Sequence, residues 1–299
     1  MSSVLITGIE GFTGRYLSSA MASAGFEVHG IARHGDPFAN FSIVAADLAD
    51  VDRIRSLVRT IKPKNIVHLA AISHVAHGNI DEMYMSNVVG TRNLLQAVVD
   101  TGFCPDRVLI ASSANVYGNC SQEIIEEDCP FSPVNDYAIS KMSTEFLARI
   151  FSDRIPVTVV RPFNYTGVGQ SPAFLVPKIV EAARLGNRAL RMGNLDVFRD
   201  FSDVRGVVAA YIRLLSAPQS AGETFNICSG RVISIRDILK MLTAMTGIEW
   251  SIDVDPALVR HNEVRVLRGS KRKFETLIGP LEMPPFEQTI EWMLESDAR

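Results

Sequence analysis

Short apolar runs, most of them β-branched, recur through the first half of the chain at residues 4–6, 28–31, 43–45, 66–69, 108–111 and 157–160. Helical patterns separate most of them. Such runs carry no polar alternation, so both faces must be covered. Strands alternating with helices are joined by crossovers that leave them parallel. The pattern therefore predicts an α/β chain built on a doubly wound parallel sheet. After Arg161 the texture changes: "RPFNYTGVGQSP" is rich in turn formers, and residues 172–186, 234–246 and 286–295 read as helices, but the clean alternation with strands is gone. A smaller C-terminal α+β domain, fed by excursions from the sheet, is expected there.

At 299 residues the chain is long enough to bury one large core or two modest ones. A net charge of -3 gives no basic field for nucleic acid or an anionic membrane. The first residues, MSSVLITG, lack the cationic and apolar regions of a secretory signal, and no apolar run reaches the roughly 20 residues of a membrane helix. Cys104, Cys120, Cys129 and Cys228 form no CxxC pair and are read as free thiols. No His/Cys/Asp/Glu spacing points to a metal. A cytoplasmic protein with no nucleic-acid or membrane partner is expected.

"TGIEGFTG" places Gly8, Gly11 and Gly14, with Phe12 and Thr13 between them, where the first strand hands over to the first helix. A tight turn, close backbone approach and an open helix N-terminus suit a dinucleotide pyrophosphate, which makes the sheet Rossmann-type. At the end of the second strand "GIARHGD" offers Arg33 and His34, with no acid before Asp36. An arginine suits a 2′-phosphate where an acid would suit a free ribose hydroxyl, so NADPH/NADP is favoured over NAD. Asp47, after the third strand, could accept from the adenine amine.

"YAISK" spaces Tyr137 and Lys141 one helical turn apart. A close ammonium can lower a phenol, and bringing it to neutrality takes roughly three units, about 4 kcal/mol. Upstream, "SSANVYG" sets Ser112 and Ser113 at the end of the fifth run.

With "TGIEGFTG", "HLAA", "SNVVGT", "SSANVYG", "YAISK", "RPFNYTGVGQ", "RDFSDV" and "FNICSG", the chain resembles the extended short-chain dehydrogenase/reductase family over nearly its whole length. That resemblance implies an NAD(P)-dependent oxidoreductase. Residues 1–162 plus about 205–231 would form an NADP(H)-binding domain. Residues from about 163–204 plus 232–299 would form a nucleotide-sugar domain. It implies catalytic roles for Ser113, Tyr137 and Lys141, with Lys141 also on the nicotinamide ribose. Leu48, Leu69, Ala70, Ala71, Asn87, Ser112 and Arg161 would complete the cofactor site. It also implies a homodimer through the helices around 87–101 and 136–151.

The reaction turns on two positions. Related dehydratases carry a glutamate, often after an aspartate, within the "SSxxVYG" turn, and here Ala114 and Asn115 stand there. Neither can move a proton to expel water. "GNLDVFRDFSDV" and "DPALVRHNEVRVLRGSKRK" resemble segments of GDP-4-keto-6-deoxy-D-mannose reductases. The expectation is NADPH-dependent reduction of the C4 ketone of a GDP-linked sugar. A 4-epimerase on bound NAD stands second, a GDP-mannose 4,6-dehydratase third, and a non-enzymatic NADP(H)-binding regulatory module outside that class. By the same resemblance Arg199 and Arg260 are candidates for the diphosphate, with Asn164, Lys178 and Arg191 beside them. Glu263 would orient Arg260, and Ser113, Ala114 and Asn115 would face the sugar.

Overall fold

The computed structural model describes residues 2–34, 41–73, 78–256 and 264–296. In chain order the elements are β1 (Ser3–Thr7), α1 (Phe12–Ser23), β2 (Glu27–Ala32), β3 (Ser42–Ala45), α2 (Val51–Ile61) and β4 (Asn65–His68). A short α3 (Ile80–Tyr84) runs through a π-helical turn into α4 (Gly90–Asp100), followed by β5 (Arg107–Ala111), α5 (Asp136–Phe151) and β6 (Val157–Pro162). Then come β7 (Asn164–Thr166), α6 (Leu175–Arg184), β8 (Ala189–Met192), β9 (Phe198–Asp203), α7 (Val204–Ser216) and β10 (Thr224–Ile227). The chain continues through β11 (Val232–Ser234), α8 (Ile235–Thr246), β12 (Ser251–Val254), β13 (Val266–Leu267), α9 (Arg272–Leu277) and α10 (Phe286–Glu295).

Seven strands form one parallel sheet in the order β10-β6-β5-β4-β1-β2-β3. The chain winds outward from β1 through β2 to β3, then returns to β4 and winds the other way. The switch point thus lies between β1 and β4, where such sheets open a crevice at their C-terminal ends. Alternate side chains feed opposite faces. Val4 and Ile6 join Val67, Leu109 and Val160 under α1 and α7, while Leu5 joins Ile66, Val108 and Ile110 under α2, α4 and α5. Both faces of the sheet are therefore dry, as the unbroken apolar runs require.

A separate core gathers α6, α8 and α10 with β8 and β9 around Ile179, Leu190, Phe201, Ile238 and Ile290. The segment 272–281, assigned from sequence to this second unit, differs: Phe274 and Leu281 pack into the core beneath α1 and α7. Phe274 meets Phe225 of β10 edge-on with ring centroids 6.0 Å apart. A six-residue helix is too short for its periodicity to announce which layer it joins.

The reading of four free thiols is also corrected. Cys120 and Cys129 are joined in a disulfide, while Cys104 is exposed and Cys228 buried as free thiols. Turns closed by Cys120 N–H on the Tyr117 carbonyl and Cys129 N–H on the Glu126 carbonyl bring the pair together. No spacing rule signals a pair nine residues apart. Among the described residues no helix is long and apolar enough to cross a membrane.

Candidate active site

The glycine turn sits at the switch point. Gly8 has φ +70°, and a Cβ there would lie 2.8 Å from the Ala70 backbone beyond β4. A Cβ on Gly14 would press on the Gly8 carbonyl and lie 2.6 Å from the Ile9 carbonyl oxygen. Only glycine lets helix and turn close this far. Gly11 caps α1 without a side-chain hydrogen bond, and the first turn carries no acid. The positive helix end is thus left for an external anion, so these residues fit a dinucleotide diphosphate. Thr13 shares a 2.7 Å hydrogen bond with the Tyr165 hydroxyl, and the Phe12 ring stacks on Tyr165. Tyr165, absent from the sequence reading, therefore links the cofactor turn to the loop beyond the sheet.

Around this turn the other expected contacts take their places. Arg33 lies just past β2 with its side chain 54% exposed, and donates to Glu82 at 2.9 Å. Asp47 accepts from the Ala49 N–H, and Leu48 packs where a Gly90 side chain would stand. Leu69 N–H donates to the Thr7 carbonyl, and Ala70 N–H to the Thr7 hydroxyl; Ala71 follows. His68 is held between the hydroxyls of Thr7 and Thr91 at 2.7 and 2.8 Å. Burial, with the Lys141 charge adding to it, pulls its imidazole down to about 3. It is a neutral structural histidine.

β5 ends at Ala111 and delivers Ser112 and Ser113, after which residues 114–117 turn in a single 3₁₀ coil. α5 begins beside it, capped by Asn135, whose side chain accepts from the Ala138 N–H. Tyr137 and Lys141 project from the first turns of α5, 8% and 6% exposed. Ser113 lowers the Tyr137 phenol, but burial dominates and holds it above 10. Lys141 donates to the Ala111 carbonyl at 2.8 Å, and burial brings its ammonium down to about 8 against the opposing pull of Glu145. The expected depression of the phenol by Lys141 is therefore not present in the protein alone. The ammonium gives one of its three donors to a backbone carbonyl, and at Tyr137 desolvation dominates. Tyr137 rests as a protonated phenol, the state a proton donor needs.

Several residues expected at the cofactor also bond within the protein. Arg161, 3% exposed, makes a two-pronged ion pair with Glu145 and also donates to the Tyr117 hydroxyl and the Glu127 carbonyl. The Ser112 hydroxyl donates to the same Glu145 carboxylate at 2.5 Å. The Asn87 amide accepts from Ile72 N–H and donates to the Ile72 carbonyl and the Ser140 hydroxyl. A buried carboxylate must be paired, and Glu145 draws Ser112 and Arg161 to itself, while Asn87 is held by Ile72 and Ser140. Glu145 was missed, although its place one turn beyond Lys141 on α5 was a signal.

The substrate candidates divide. Asn164, on β7, keeps a buried Nδ2 without a protein partner, as a ligand donor would. Arg191 is paired with Asp253 and Asp255, and Lys178 donates to the Arg191 carbonyl, so both are occupied. Arg199 donates to the carbonyls of Phe198 and Arg265. Neighbouring Asp200, also missed, is fully buried and gathers N–H donors from Ser229, Gly230 and Gly269. Asp36, Arg260 and Glu263 lie outside the described residues.

Residues 5–293 match the GDP-mannose 4,6 dehydratase family. The chain belongs to that family. With it the chain is an NAD(P)-dependent enzyme of the extended short-chain dehydrogenase/reductase group. It is 33% identical to the GDP-6-deoxy-D-talose 4-dehydrogenase of Aggregatibacter actinomycetemcomitans, over 92% of this chain and 91% of that one. It is 34% identical to the GDP-6-deoxy-D-mannose reductase of Pseudomonas aeruginosa, over 92% and 90%. The solved structure of RMD from Pseudomonas aeruginosa complexed with NADPH superposes with a TM-score of 0.85 at 31% identity, covering 98% of this chain and 96% of that one. The family's name is a dehydratase's, but the turn here carries Ala114 and Asn115 and no carboxylate.

Proposed function

We propose that this protein uses NADPH to reduce the C4 ketone of a nucleotide-activated 4-keto-6-deoxy sugar, GDP-4-keto-6-deoxy-D-mannose. The observation that carries this reading is the composition of the catalytic turn. The turn offers the Ser113 hydroxyl and α5 the Tyr137 phenol and Lys141, while Ala114 and Asn115 leave the turn without an acid able to expel water. The relatives named for GDP-6-deoxy sugars support the substrate class, and Arg33 at the end of β2 supports NADPH over NAD. For the 2′-phosphate Arg33 would exchange its bond to Glu82.

The glycine turn would hold the cofactor's diphosphate on the N-terminus of α1, and Lys141 would serve the ribose. Bound NADPH supplies the hydride. The chain supplies orientation, charge and one proton. Ser113 and Tyr137 donate hydrogen bonds to the ketone oxygen, where negative charge develops. Tyr137 then transfers its phenolic proton to that oxygen, so that hydride and proton together give the alcohol. Lys141, held charged by Glu145, stabilises the phenolate until solvent returns the proton. We further assign the working form as a cytoplasmic homodimer built on α4 and α5.

Incubation of the protein with NADPH and the 4-keto GDP-sugar should consume the nicotinamide absorbance and yield a 6-deoxyhexose. Product analysis reads the C4 configuration, in which 6-deoxymannose and 6-deoxytalose differ. No oxidation of NADPH, with interconversion of GDP-hexoses on bound NAD, would replace this reading by the 4-epimerase.

A further inference from the structure

We infer that Asn115 is a positioning residue whose side-chain amide fixes the Ser113 hydroxyl as a hydrogen-bond donor toward the reacting oxygen. The inference rests on the reductase reading for its kinetic consequences, but its structural basis is independent of it. The Ser113 oxygen accepts two hydrogen bonds, both from Asn115: one from the backbone N–H at 3.2 Å and one from Nδ2 at 3.0 Å. A serine hydroxyl has two lone pairs and one proton. With both lone pairs taken, the proton must point elsewhere, and Tyr137 is the neighbouring group whose phenol Ser113 lowers. Ser113 is buried, so water does not compete for the arrangement.

The consequence is chemical. Ser113 can give a hydrogen bond to a ligand but cannot accept one, and it cannot take the Tyr137 proton as a base. A ketone oxygen, which only accepts, satisfies such a site. An alcohol that needs to donate its own proton does not. Asn115 thus occupies the turn with an amide that transfers no proton and sets the polarity of its neighbour. It was expected to face the sugar; the structure places its amide on Ser113.

The substitution that separates polarity from bulk is Asn115→Asp. It keeps the shape but replaces the Nδ2 donor with an oxygen that accepts, so it takes the Ser113 proton away from the ketone. Asn115→Ala only deletes one of the two donors and leaves the backbone N–H in place. With NADPH and GDP-4-keto-6-deoxymannose, Asn115→Asp should lower kcat at least tenfold, toward the roughly 10²–10³-fold cost of removing an oxyanion donor. KM for NADPH should stay unchanged, and Asn115→Ala should lose less. In a Ser113→Ala background, Asn115→Asp should add no further loss. A loss from Asn115→Ala that equals or exceeds that from Asn115→Asp, or an undiminished loss in the Ser113→Ala background, would overturn the inference.

A second measurement needs no turnover. In protein carrying ¹³Cζ-labelled tyrosine, the Tyr137 resonance, assigned through Tyr137→Phe, reports hydrogen bonding to the phenol oxygen. Asn115→Asp should move it in the same direction as Ser113→Ala does, because both withdraw the same donor. An unmoved resonance in Asn115→Asp overturns the inference even if the unmodified protein proves to be no ketosugar reductase.

Discussion

Tyr137 is worth most as a residue whose proton is still on it. Burial holds the phenol above 10 in the protein alone, with Ser113 as the opposing influence. Tyr137→Phe should therefore lower turnover by about 10²–10⁴-fold, the usual worth of a positioned proton donor, with NADPH affinity unchanged by fluorescence titration. The pairing of Tyr137 with Lys141 was legible from their spacing. What the ammonium does was not, because its partner, the Ala111 carbonyl, is 30 residues away along the chain. His68 makes a prediction of its own. Its imidazole stays neutral in the folded protein down to about pH 3, whereas an unfolded histidine protonates near 6.5. Between those values the unfolded chain binds the extra proton, so stability is full above about pH 6.5 and falls as pH drops toward 3. Denaturant titration should show a loss on the order of 2–3 kcal/mol between pH 7 and 4.5, relative to His68→Gln, which lacks that proton site.

At the scale of elements, α5 carries both the chemistry and the clamp. Tyr137 and Lys141 face the crevice, and one turn later Glu145 binds Arg161 of β6 and Ser112 at the end of β5. The pair is buried, so removing one partner strands a charge. Glu145→Ala should cost about 3–5 kcal/mol in chemical denaturation, more than an exposed ion pair such as Arg236–Asp196 could. This is where reading residues from sequence was least secure. Arg161 and Ser112 sit at strand ends that face a cofactor in such folds, and only three-dimensional packing reveals which way a strand-end side chain turns. The glycine turn behaved differently. Its spacing already demanded a backbone approach, and the structure supplies the atoms approached, Ala70 and the Gly8 carbonyl.

For the whole molecule, α5 also presents Ile139, Phe146 and Ile150, at 37%, 46% and 65% exposure, along one outer face. Residues at i, i+7 and i+11 fall on a single helical stripe, the arrangement by which two copies bury apolar surface against one another. Sedimentation should find the native protein as a dimer, and Ile150→Glu should shift it to monomer while leaving its far-ultraviolet circular dichroism unchanged. The parallel sheet, its helical cover and the crevice at the glycine turn were all present in the one-dimensional pattern. Unbroken apolar runs, the helical stretches between them and glycine spacing are local properties that the chain carries in order. The assignment of α9 to the sheet's own core, the Cys120–Cys129 link, the Glu145–Arg161 clamp and the two bonds from Asn115 onto Ser113 were decided only by the tertiary structure. The first joins residues distant along the chain, the second and third join residues nine and 16 apart that no local period pairs, and the last depends on a turn geometry that many sequences share. In each case a buried or partly buried polar or apolar group had to find its partner in space, and nothing local in the sequence says which partner it finds.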